Sequence, residues 1–284
     1  MVADGWSTKA AEALAVHPGF RLADFDTHGT PGFGDGKKTG AAITGAIGER
    51  MSDLQERLFA EGRTGGTRSI LLVLQGLDTA GKGGIVRHVM GMVDPQGVAL
   101  RSFGVPTPEE RTHHFLWRIR KALPPAGRIG VFDRSHYEDV LVARVNDLVP
   151  RAELDKRYDE IVDFEAELAQ AGTRVIKVAL MISRKEQYRR LHERLERSDK
   201  HWKFNPGDVD TRAKWPDYQE AYQLVFDRTS TPDSPWHVVP ADRKWFARLA
   251  VSQLVLDALE DLDLHWPSAD YDVAEQLARL EATA

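Results

Sequence analysis

The sequence predicts an α/β fold in which helices cover both faces of a parallel five-stranded sheet. Three observations support this prediction. Five short apolar runs are separated by longer segments with helical periodicity, the order that gives a parallel sheet. The first run, Ile70 to Leu74, is apolar without interruption, as in a strand buried on both faces. It leads directly into Gly76 to Gly84, a glycine-rich stretch typical of phosphate-binding loops.

The composition narrows the class of protein. The 284 residues are enough for one large domain, and we expect a single domain over 1–284, with an arm and helix at about 1–66 and an insertion at about 184–230. The net charge of −5 argues against a general nucleic-acid-binding surface. The chain has no cysteine and no apolar run of membrane-spanning length. We therefore expect a cytoplasmic protein that binds neither nucleic acid nor a membrane.

The N-terminal part of the chain is expected to be an extended arm followed by a helix. Residues before Thr39 include many turn-forming residues, with Lys37 and Lys38 closing the stretch. From Gly40 to Glu61 apolar residues recur at helical spacing, which indicates an amphipathic helix that packs on the sheet. The two lysines could hold a phosphate chain or remain in solvent, and the sequence leaves both alternatives open.

The remaining elements alternate along the chain. The other four strands are expected at Val98–Phe103, Arg128–Phe132, Val175–Ile182 and Trp236–Val239. Helices are expected from the glycine-rich loop to about Val93, from Pro106 to Leu123, from Arg151 to Gln170, from Arg184 to Phe226 with an interruption at 201–207, and from Trp245 to Leu262. In a sheet of this kind, ligands bind at the carboxyl ends of the strands.

The glycine-rich stretch has the chemistry of a phosphate-binding loop. Gly76, Gly81 and Lys82 have the spacing at which glycines let backbone N–H groups approach phosphate oxygens while a lysine supplies a mobile positive charge. Gly83 stands where many such loops place a Ser or Thr hydroxyl on Mg²⁺, so the metal must find other oxygens. The alternative is that the glycines only make a tight turn, with Lys82 in solvent.

Two carboxylates are candidates for that metal site. Asp78 lies inside the loop and could also act as a base, while Asp133 closes the third strand. Mg²⁺ bound together with phosphates takes carboxylate oxygens and waters as ligands. We therefore expect Asp78 and Asp133 to bind Mg²⁺, although Asp133 could instead cap a helix.

Arg134 bears on the type of reaction. A hydrolytic ATPase would be expected to carry a glutamate beside Asp133 to activate water, whereas this chain has Arg134. An arginine there can neutralise charge on a moving phosphoryl group, so phosphoryl transfer fits better than hydrolysis. A structural ion pair is the alternative role for this side chain.

The segment from Arg184 to Arg197 has two faces when it is placed on a helix. Tyr188, Leu191 and Leu195 lie on one side, and Arg190, Arg194 and Arg197 lie on the other. A basic stripe opposite a narrow apolar one suits a lid helix that closes over phosphates, and Lys200 and Lys203 extend the positive charge beyond it. The alternative is a solvated surface helix.

Three stretches of the sequence resemble the polyphosphate kinase 2 family. They are Gly76–Gly84, Asp133–Asp139 and Lys203–Pro206, and the resemblance runs from about Asp24 to Leu262. It implies a P-loop nucleotide-kinase-like fold with a helical lid at about 184–230. It also implies reversible, Mg²⁺-dependent phosphoryl transfer between inorganic polyphosphate and nucleotides, with Mn²⁺ as an alternative ion, and a homo-oligomer.

The resemblance also implies roles for individual residues. The implied catalytic residues are Asp78, Lys82, Asp133, Arg134 and Arg194, and the implied Mg²⁺ ligands are Asp78 and Asp133. The residues implied to bind phosphate or nucleotide are Gly76, Thr79, Ala80, Gly81, Gly83, Gly84, Glu138, Arg190, Lys200, Lys203, Lys37 and Lys38. The sequence from Ser135 to Asp139 is similar to the corresponding motif of the subgroup that uses both nucleoside mono- and diphosphates, such as AMP and ADP. Guanine nucleotides are further candidate substrates.

Two other functions remain open at this stage. An ATP-dependent nucleotide kinase would share the loop and the lid and would differ only in its phosphate donor. A non-catalytic P-loop module would bind phosphate without turnover, although the chain lacks an Asn-Lys-x-Asp motif for reading guanine.

Similar sequences often have a basic residue just before Pro106, where this chain has Gly104 and Val105, so one polyphosphate contact is expected to be weaker.

Overall fold

The sheet at the centre of the protein has five strands, all parallel to their neighbours, in the order β2-β3-β1-β4-β5. The computed structural model describes residues 5–284. The strands are β1 (Ser69–Gln75), β2 (Val98–Ser102), β3 (Ile129–Asp133), β4 (Thr173–Met181) and β5 (Trp236–Pro240). The predicted fold class is therefore confirmed, and each predicted strand lies within two residues of its observed bounds.

Helices pack on both faces of this sheet. In chain order the helices of the described residues are α1 (Ala10–Leu14), α2 (Lys37–Arg63), α3 (Lys82–His88), α4 (Trp117–Arg120), α5 (Glu138–Val145), α6 (Arg151–Gln170), α7 (Arg184–Glu196), α8 (Gly207–Ala213), α9 (Trp215–Thr229), α10 (Lys244–Glu260) and α11 (Val273–Glu281). The last of them, α11, has no buried residue. One apolar cluster lies between the sheet and α2, α3 and α10, and the other lies between the sheet and α5, α6 and α9. None of the helices in the described part of the chain combines the length and the apolar character that a membrane span requires.

The central position of β1 determines where the glycine-rich loop emerges. All seven residues of β1 are buried, as expected for an uninterrupted apolar strand covered on both faces. Its partners are β3 and β4, and the register pairs Leu74 with Asp133. Asp133 therefore ends its strand directly beside the start of the loop, which the alternation of elements along the sequence could not show.

The N-terminal arm is packed against the core rather than extended. Trp6, Leu14 and Phe33 are buried in the cluster beneath α10, and a backbone bridge joins Ala15 to β5. The prediction of an extended arm was wrong because these apolar side chains anchor segments whose local sequence is rich in turn residues. Helix α2 begins at Lys37, so the two lysines of this stretch occupy its first turn.

Other local predictions differ from the structure. The helix expected from Pro106 to Leu123 is reduced to α4 and a single 3-10 turn at Glu110–Thr112, since the backbone at His113 is extended. Helix α3 ends at His88, before the predicted Val93, and the sequence patterns did not predict α5 or α11. The helices α6 and α10, the break after α7 and the helices that follow it agree with prediction to within a few residues.

A buried polar cluster supports the segment that follows β3. The Lys177 ammonium, in the middle of β4, donates to Glu165 Oε2 at 2.6 Å and to the Thr229 carbonyl at 2.6 Å, while the Tyr137 hydroxyl donates to Glu165 Oε1 at 2.7 Å. Burial would raise the pKa of Glu165, but the ammonium and the hydrogen bonds hold that pKa below its usual value. The cluster fixes Tyr137, which lies in the segment leading from Asp133 to α5.

Candidate active site

The glycine-rich loop has the backbone geometry that its glycines permit. Gly76 has a φ of 149°, and a Cβ there would lie 2.7 Å from the Leu180 carbonyl of β4. Gly81 has a φ of 120° immediately before α3 begins. Thr79 also has a positive φ, 67°, and its hydroxyl is buried without a hydrogen-bond partner among residues 5–284. The loop therefore makes its turn at two glycines and one strained threonine.

The N–H groups of this loop are available to an anion. Within the described part of the chain, the N–H groups of Gly81, Lys82 and Gly83 have no hydrogen-bond acceptor. Successive unpaired N–H groups of this kind form a concave site that binds phosphate oxygens. The interpretation of this stretch as a phosphate-binding loop is thus supported by its geometry as well as by its spacing.

Lys82 lies under the loop and is not a mobile charge in solvent. Only 9% of the residue is exposed, and its ammonium donates to the Gly76 carbonyl at 2.6 Å. Burial lowers the pKa of Lys82, and the positive charge of Arg134 acts in the same direction. The carboxylates of Asp133, Asp78 and Glu138 oppose that shift in the lysine pKa, so all three lie within its electrostatic reach.

The two predicted metal ligands lie at the same cavity, and one of them is engaged in an ion pair. Asp78 and Asp133 both line the wall, and Arg134 Nη2 donates to Asp78 Oδ1 at 2.8 Å. Arg134 has a φ of 64°, so a strained backbone presents this guanidinium to the loop. The structural ion pair considered as an alternative for Arg134 is present, on a side chain that also lines the cavity.

These carboxylates match the protein ligands of a divalent metal ion whose other ligands come from substrate and water. The described residues contain no group of three or more His, Asp or Glu side chains placed to hold a metal by themselves. Mg²⁺ in phosphate-transfer sites is bound by one or two carboxylates together with waters and phosphate oxygens. Asp78 and Asp133 provide the carboxylates of such a set, and the unpaired N–H groups beside them can hold a phosphate whose oxygens provide further ligands.

Glu138 stands behind the cavity wall. It is partly buried and does not line the cavity, and burial raises its pKa against the opposing charges of Arg134 and Lys82. When the Gln75 side-chain amide is oriented so that its oxygen accepts hydrogen bonds from Ser135, the amide nitrogen donates to Glu138 Oε1 at 2.9 Å. Glu138 therefore lies close enough to Arg134 and Lys82 to interact with their charges.

The basic side of α7 faces the loop, while Tyr188 on its other side is 56% exposed. Arg194 lines the cavity, and its Nη1 donates to the Lys203 carbonyl at 3.0 Å and to Asp208 Oδ2 at 3.2 Å. Its Nε and Nη2 have no acceptor among residues 5–284. Arg194 is therefore held in place with donors left for a ligand.

The other two arginines of the predicted stripe are used differently. Arg190 reaches the cavity wall but is buried, and its guanidinium donates to backbone carbonyls of the loop. Protein oxygens therefore occupy the donors that the expected phosphate contact of Arg190 would need. Arg197 lies outside the cavity, where it pairs with Asp199 and Glu193.

Further basic residues that the site prediction did not include line the same cavity. They are Arg87 and His88 on α3 and Lys244 and Arg248 on α10. Lys244 and Arg248 are four residues apart, so they share one face of their helix, and this spacing was a signal in the sequence. Burial lowers the pKa of both side chains. Lys244 is both the first residue of α10 and part of the cavity wall.

The cavity as a whole is strongly basic. It has a volume of about 670 Å³ and is lined by nine Lys and Arg residues against three acidic ones, in a chain whose net charge is −5. The wall includes the predicted residues Asp78, Thr79, Ala80, Gly81, Lys82, Gly83, Gly84, Asp133, Arg134, Arg190, Arg194, Lys200 and Lys203. Gly76, Glu138, Lys37 and Lys38 do not line it. Such a cavity suits a ligand that carries several negative charges.

Comparisons with known proteins agree with the geometry. The family model described as "Polyphosphate kinase 2" matches residues 37–266. An AMP/ADP-polyphosphate phosphotransferase of Meiothermus ruber is 42% identical over 251 residues, which cover 88% of this chain and 92% of that protein. An ADP-polyphosphate phosphotransferase of Rhodopseudomonas palustris is 42% identical over 231 residues, covering 77% of this chain and 78% of the relative. The crystal structure of polyphosphate kinase 2 from Arthrobacter aurescens superposes with a TM-score of 0.96 at 52% identity, covering 99% of this chain and 100% of the other.

Proposed function

The chain belongs to the polyphosphate kinase 2 family, and on that premise we propose that it transfers phosphoryl groups between inorganic polyphosphate and both nucleoside mono- and diphosphates. The reactions proposed are AMP to ADP and ADP to ATP, both reversible, with guanine nucleotides as further acceptors. Two observations support the use of both mono- and diphosphates: the name of the Meiothermus relative, which includes AMP and ADP, and the sequence of the Ser135 to Asp139 motif.

The distribution of charge around the cavity is the observation that carries the proposal. Arg194, Lys200 and Lys203 lie on the α7 side, while Arg87 and Arg248 lie on α3 and α10. This positive charge extends well beyond the loop itself, and a nucleoside triphosphate donor would neutralise only part of it. A donor that is a chain of phosphates has charge along its whole length, so its shape and charge suit such a cavity.

Each group at the loop has a proposed task in the transfer. The N–H groups of Gly81 to Gly83 bind oxygens of the phosphate that moves, and the Lys82 ammonium, which has two N–H donors besides the one given to Gly76, neutralises it. The Arg134 guanidinium shares its charge between Asp78 and the transferring group.

Mg²⁺, or Mn²⁺ in its place, is proposed to be held by Asp78 and Asp133. The ion would neutralise phosphate charge and orient the reacting oxygens. The chain places Arg134 beside Asp133, where a hydrolytic enzyme would be expected to have a glutamate that activates water, and this favours transfer over hydrolysis.

The test is a comparison of donors and acceptors. Long-chain polyphosphate and ATP are each supplied with AMP, ADP, GMP or GDP, with Mg²⁺ or Mn²⁺, and products are separated by chromatography. We expect polyphosphate to convert AMP to ADP and ADP to ATP. If ATP phosphorylates AMP efficiently while polyphosphate does not, the protein is a nucleotide kinase. If no donor supports transfer, the protein is a phosphate-binding module.

Three further predictions from the sequence belong to this proposal. The first is a homo-oligomeric state, and the second is a cytoplasmic location. The third is the organisation of the chain as one domain in which the 184–230 segment is a lid that moves over bound phosphates.

A further inference from the structure

We propose that Arg190 is a positioning residue that holds the phosphate-binding loop in its anion-accepting conformation and does not itself bind phosphate. This inference deepens the proposed function and rests on it, because it concerns how the same loop is prepared for a phosphoryl group. It differs from the expectation that all basic residues on this side of α7 face the substrate.

The hydrogen bonds of Arg190 account for every donor of its guanidinium. A guanidinium has five N–H donors. Its Nε donates to Glu186 Oε1 at 2.6 Å, its Nη1 to the carbonyls of Thr79 at 2.9 Å and Ala80 at 3.1 Å, and its Nη2 to the carbonyls of Ala241 at 2.6 Å and Asp242 at 3.1 Å. The residue is only 5% exposed. No donor remains for a phosphate oxygen.

The two loop carbonyls explain how this bonding orients the loop. In a trans peptide the carbonyl and the following N–H point in opposite directions. Since Arg190 draws the Ala80 carbonyl toward α7, the N–H of Gly81 points away from the arginine, and it has no acceptor within residues 5–284. The Thr79 carbonyl is drawn the same way, at a residue whose positive φ costs free energy. Arg190 thus stabilises a strained turn that presents N–H groups to an anion.

The other half of the guanidinium connects the loop to the end of the sheet. Ala241 and Asp242 follow β5, and Asp242 also accepts hydrogen bonds from the Ser183 N–H at 2.8 Å and from the Thr27 hydroxyl at 3.0 Å. Ser183 caps α7, the helix that carries Arg190. One side chain therefore joins the phosphate-binding loop, the turn after β5 and the helix at the start of the predicted lid.

Arg194 provides a matched comparison one helical turn away. Both arginines lie on α7 and both reach the same cavity. Arg194 uses only Nη1 for protein oxygens, whereas Arg190 uses all three nitrogens. A substrate-binding role is therefore open to Arg194 and closed to Arg190 in this arrangement.

The experiment compares Arg190→Lys and Arg190→Ala with Arg194→Ala, using the polyphosphate-dependent reaction and direct polyphosphate binding over a series of salt concentrations. A lysine can replace an arginine as a point charge but cannot bind four carbonyls in a planar fork. We therefore expect Arg190→Lys and Arg190→Ala to lower kcat about 10²-fold, as expected for a displaced loop, with a smaller change in KM.

Two further readouts separate positioning from binding. The salt dependence of polyphosphate binding should be unchanged in the Arg190 variants, whereas Arg194→Ala should reduce its slope by about 1, the change for one lost phosphate contact. Millimolar guanidinium should restore part of the kcat of Arg190→Ala, because the truncated side chain leaves a space lined by carbonyls. Tetramethylammonium at equal concentration is the control and should restore nothing.

Several outcomes would overturn the proposal. They are wild-type kcat in a folded Arg190→Lys or Arg190→Ala variant, a lower salt slope in either of them, and no rescue by guanidinium of a variant that melts cooperatively. If the wild-type protein instead uses a donor other than polyphosphate, the proposed function fails, and the Arg190 comparison is repeated with that donor. The two failures are thereby distinguished.

Discussion

Arg134 and Asp78 form an ion pair across the mouth of the phosphate-binding loop, with Nη2 and Oδ1 2.8 Å apart. The two residues are 56 positions apart in the sequence, and each has a role proposed in phosphoryl transfer. The pair brings a positive and a negative charge together at a partly exposed site, so their charges largely offset each other. A bound phosphate would compete with Asp78 for the Arg134 guanidinium, and a metal ion would compete with Arg134 for the Asp78 carboxylate. Binding of the phosphate donor is therefore coupled to the strength of this ion pair.

The first prediction concerns Asp133. Asp133→Asn keeps the size of the side chain and removes its charge, so we expect kcat to fall roughly 10²-fold or more because a charged group at the developing transition state is lost. The free energy of unfolding should change by about 1 kcal/mol or less. Steady-state kinetics and thermal unfolding measure the two effects, with the exposed Asp199→Asn as control. Near-normal turnover in folded Asp133→Asn protein would remove this carboxylate from the proposed metal site.

The second prediction separates activity from stability at Lys82. Lys82→Met should abolish transfer without lowering the unfolding temperature at pH 7, because burial lowers the pKa of this lysine and its charged form is therefore costly in the folded state. Between the lowered pKa of Lys82 and 10.5 the unfolded chain binds more protons than the folded one, so the wild-type protein gains stability as pH rises through that interval. Any advantage of Lys82→Met should shrink over the same range.

The measurement for Lys82 is thermal unfolding of both proteins from pH 7 to pH 10. Lys185→Met, on the exposed surface of α7, is the control and should alter neither activity nor stability. A large drop in the unfolding temperature of Lys82→Met would show that the hydrogen bond to Gly76 is required for folding.

The third prediction concerns Arg194 and salt. Arg194→Ala should lower the polyphosphate-dependent rate by a larger factor than the loss of its ion pair with the buried Asp208 lowers stability, because Arg194 keeps its Nε and Nη2 for the ligand. Added salt should slow the wild-type reaction by screening the phosphate contacts. If Arg194→Ala has small and equal effects on the rate and on the free energy of unfolding, α7 is a solvated surface helix and not part of a lid.

The fourth prediction tests Lys37 and Lys38, which are exposed in the first turn of α2. The same turn packs on α10, since a Cβ at Gly40 would lie 2.7 Å from the Trp245 ring, next to Lys244 in the cavity wall. The lysines therefore begin a helix that packs against α10, the helix that carries Lys244 and Arg248 of the cavity wall. Changing both to Ala should raise KM for long polyphosphate several-fold and leave KM for short polyphosphate unchanged.

The control for the lysine pair is Arg63→Ala, an exposed basic residue at the far end of the same helix. The rates are measured with polyphosphates of two defined lengths. An equal rise in KM for both lengths, or no rise for either, would contradict a role for these lysines in holding the distal part of the donor.

The fifth prediction is a pH dependence of stability at His237. Burial in β5 lowers the pKa of His237 from 6.5 to about 4. Between these values the unfolded chain binds more protons, so the free energy of unfolding falls as pH falls from 6.5 to 4, by roughly 3 kcal/mol from this residue. Denaturant unfolding of wild-type and His237→Gln protein across this range measures the effect. A variant that loses as much stability as the wild type would show that His237 does not contribute.

The sequence by itself determined the fold class and the chemistry of the central motif. The apolar strand and the loop from Gly76 to Lys82 could be predicted because their signals, the run of apolar residues and the spacing of the glycines and the lysine, lie within one short stretch of sequence. For the same reason α6 was predicted with its observed bounds, while the helix expected from Pro106 to Leu123 failed where tertiary contacts, including Arg118 bound to Asp139 and the Gly104 carbonyl, decide the backbone path.

The tertiary structure alone decided which charged groups remain free to act. Arg190 and Arg194 occupy the same stripe of one helix and are equivalent to any periodic pattern. Carbonyls from two distant segments take four of the five donors of Arg190 and Glu186 takes the fifth, whereas Arg194 keeps donors for a ligand. Strand order likewise decides that Asp133 ends beside Leu74. Local sequence specifies the identity and spacing of these groups. Their hydrogen-bond partners come from residues far along the chain, so only the packed fold determines which of them can meet a substrate.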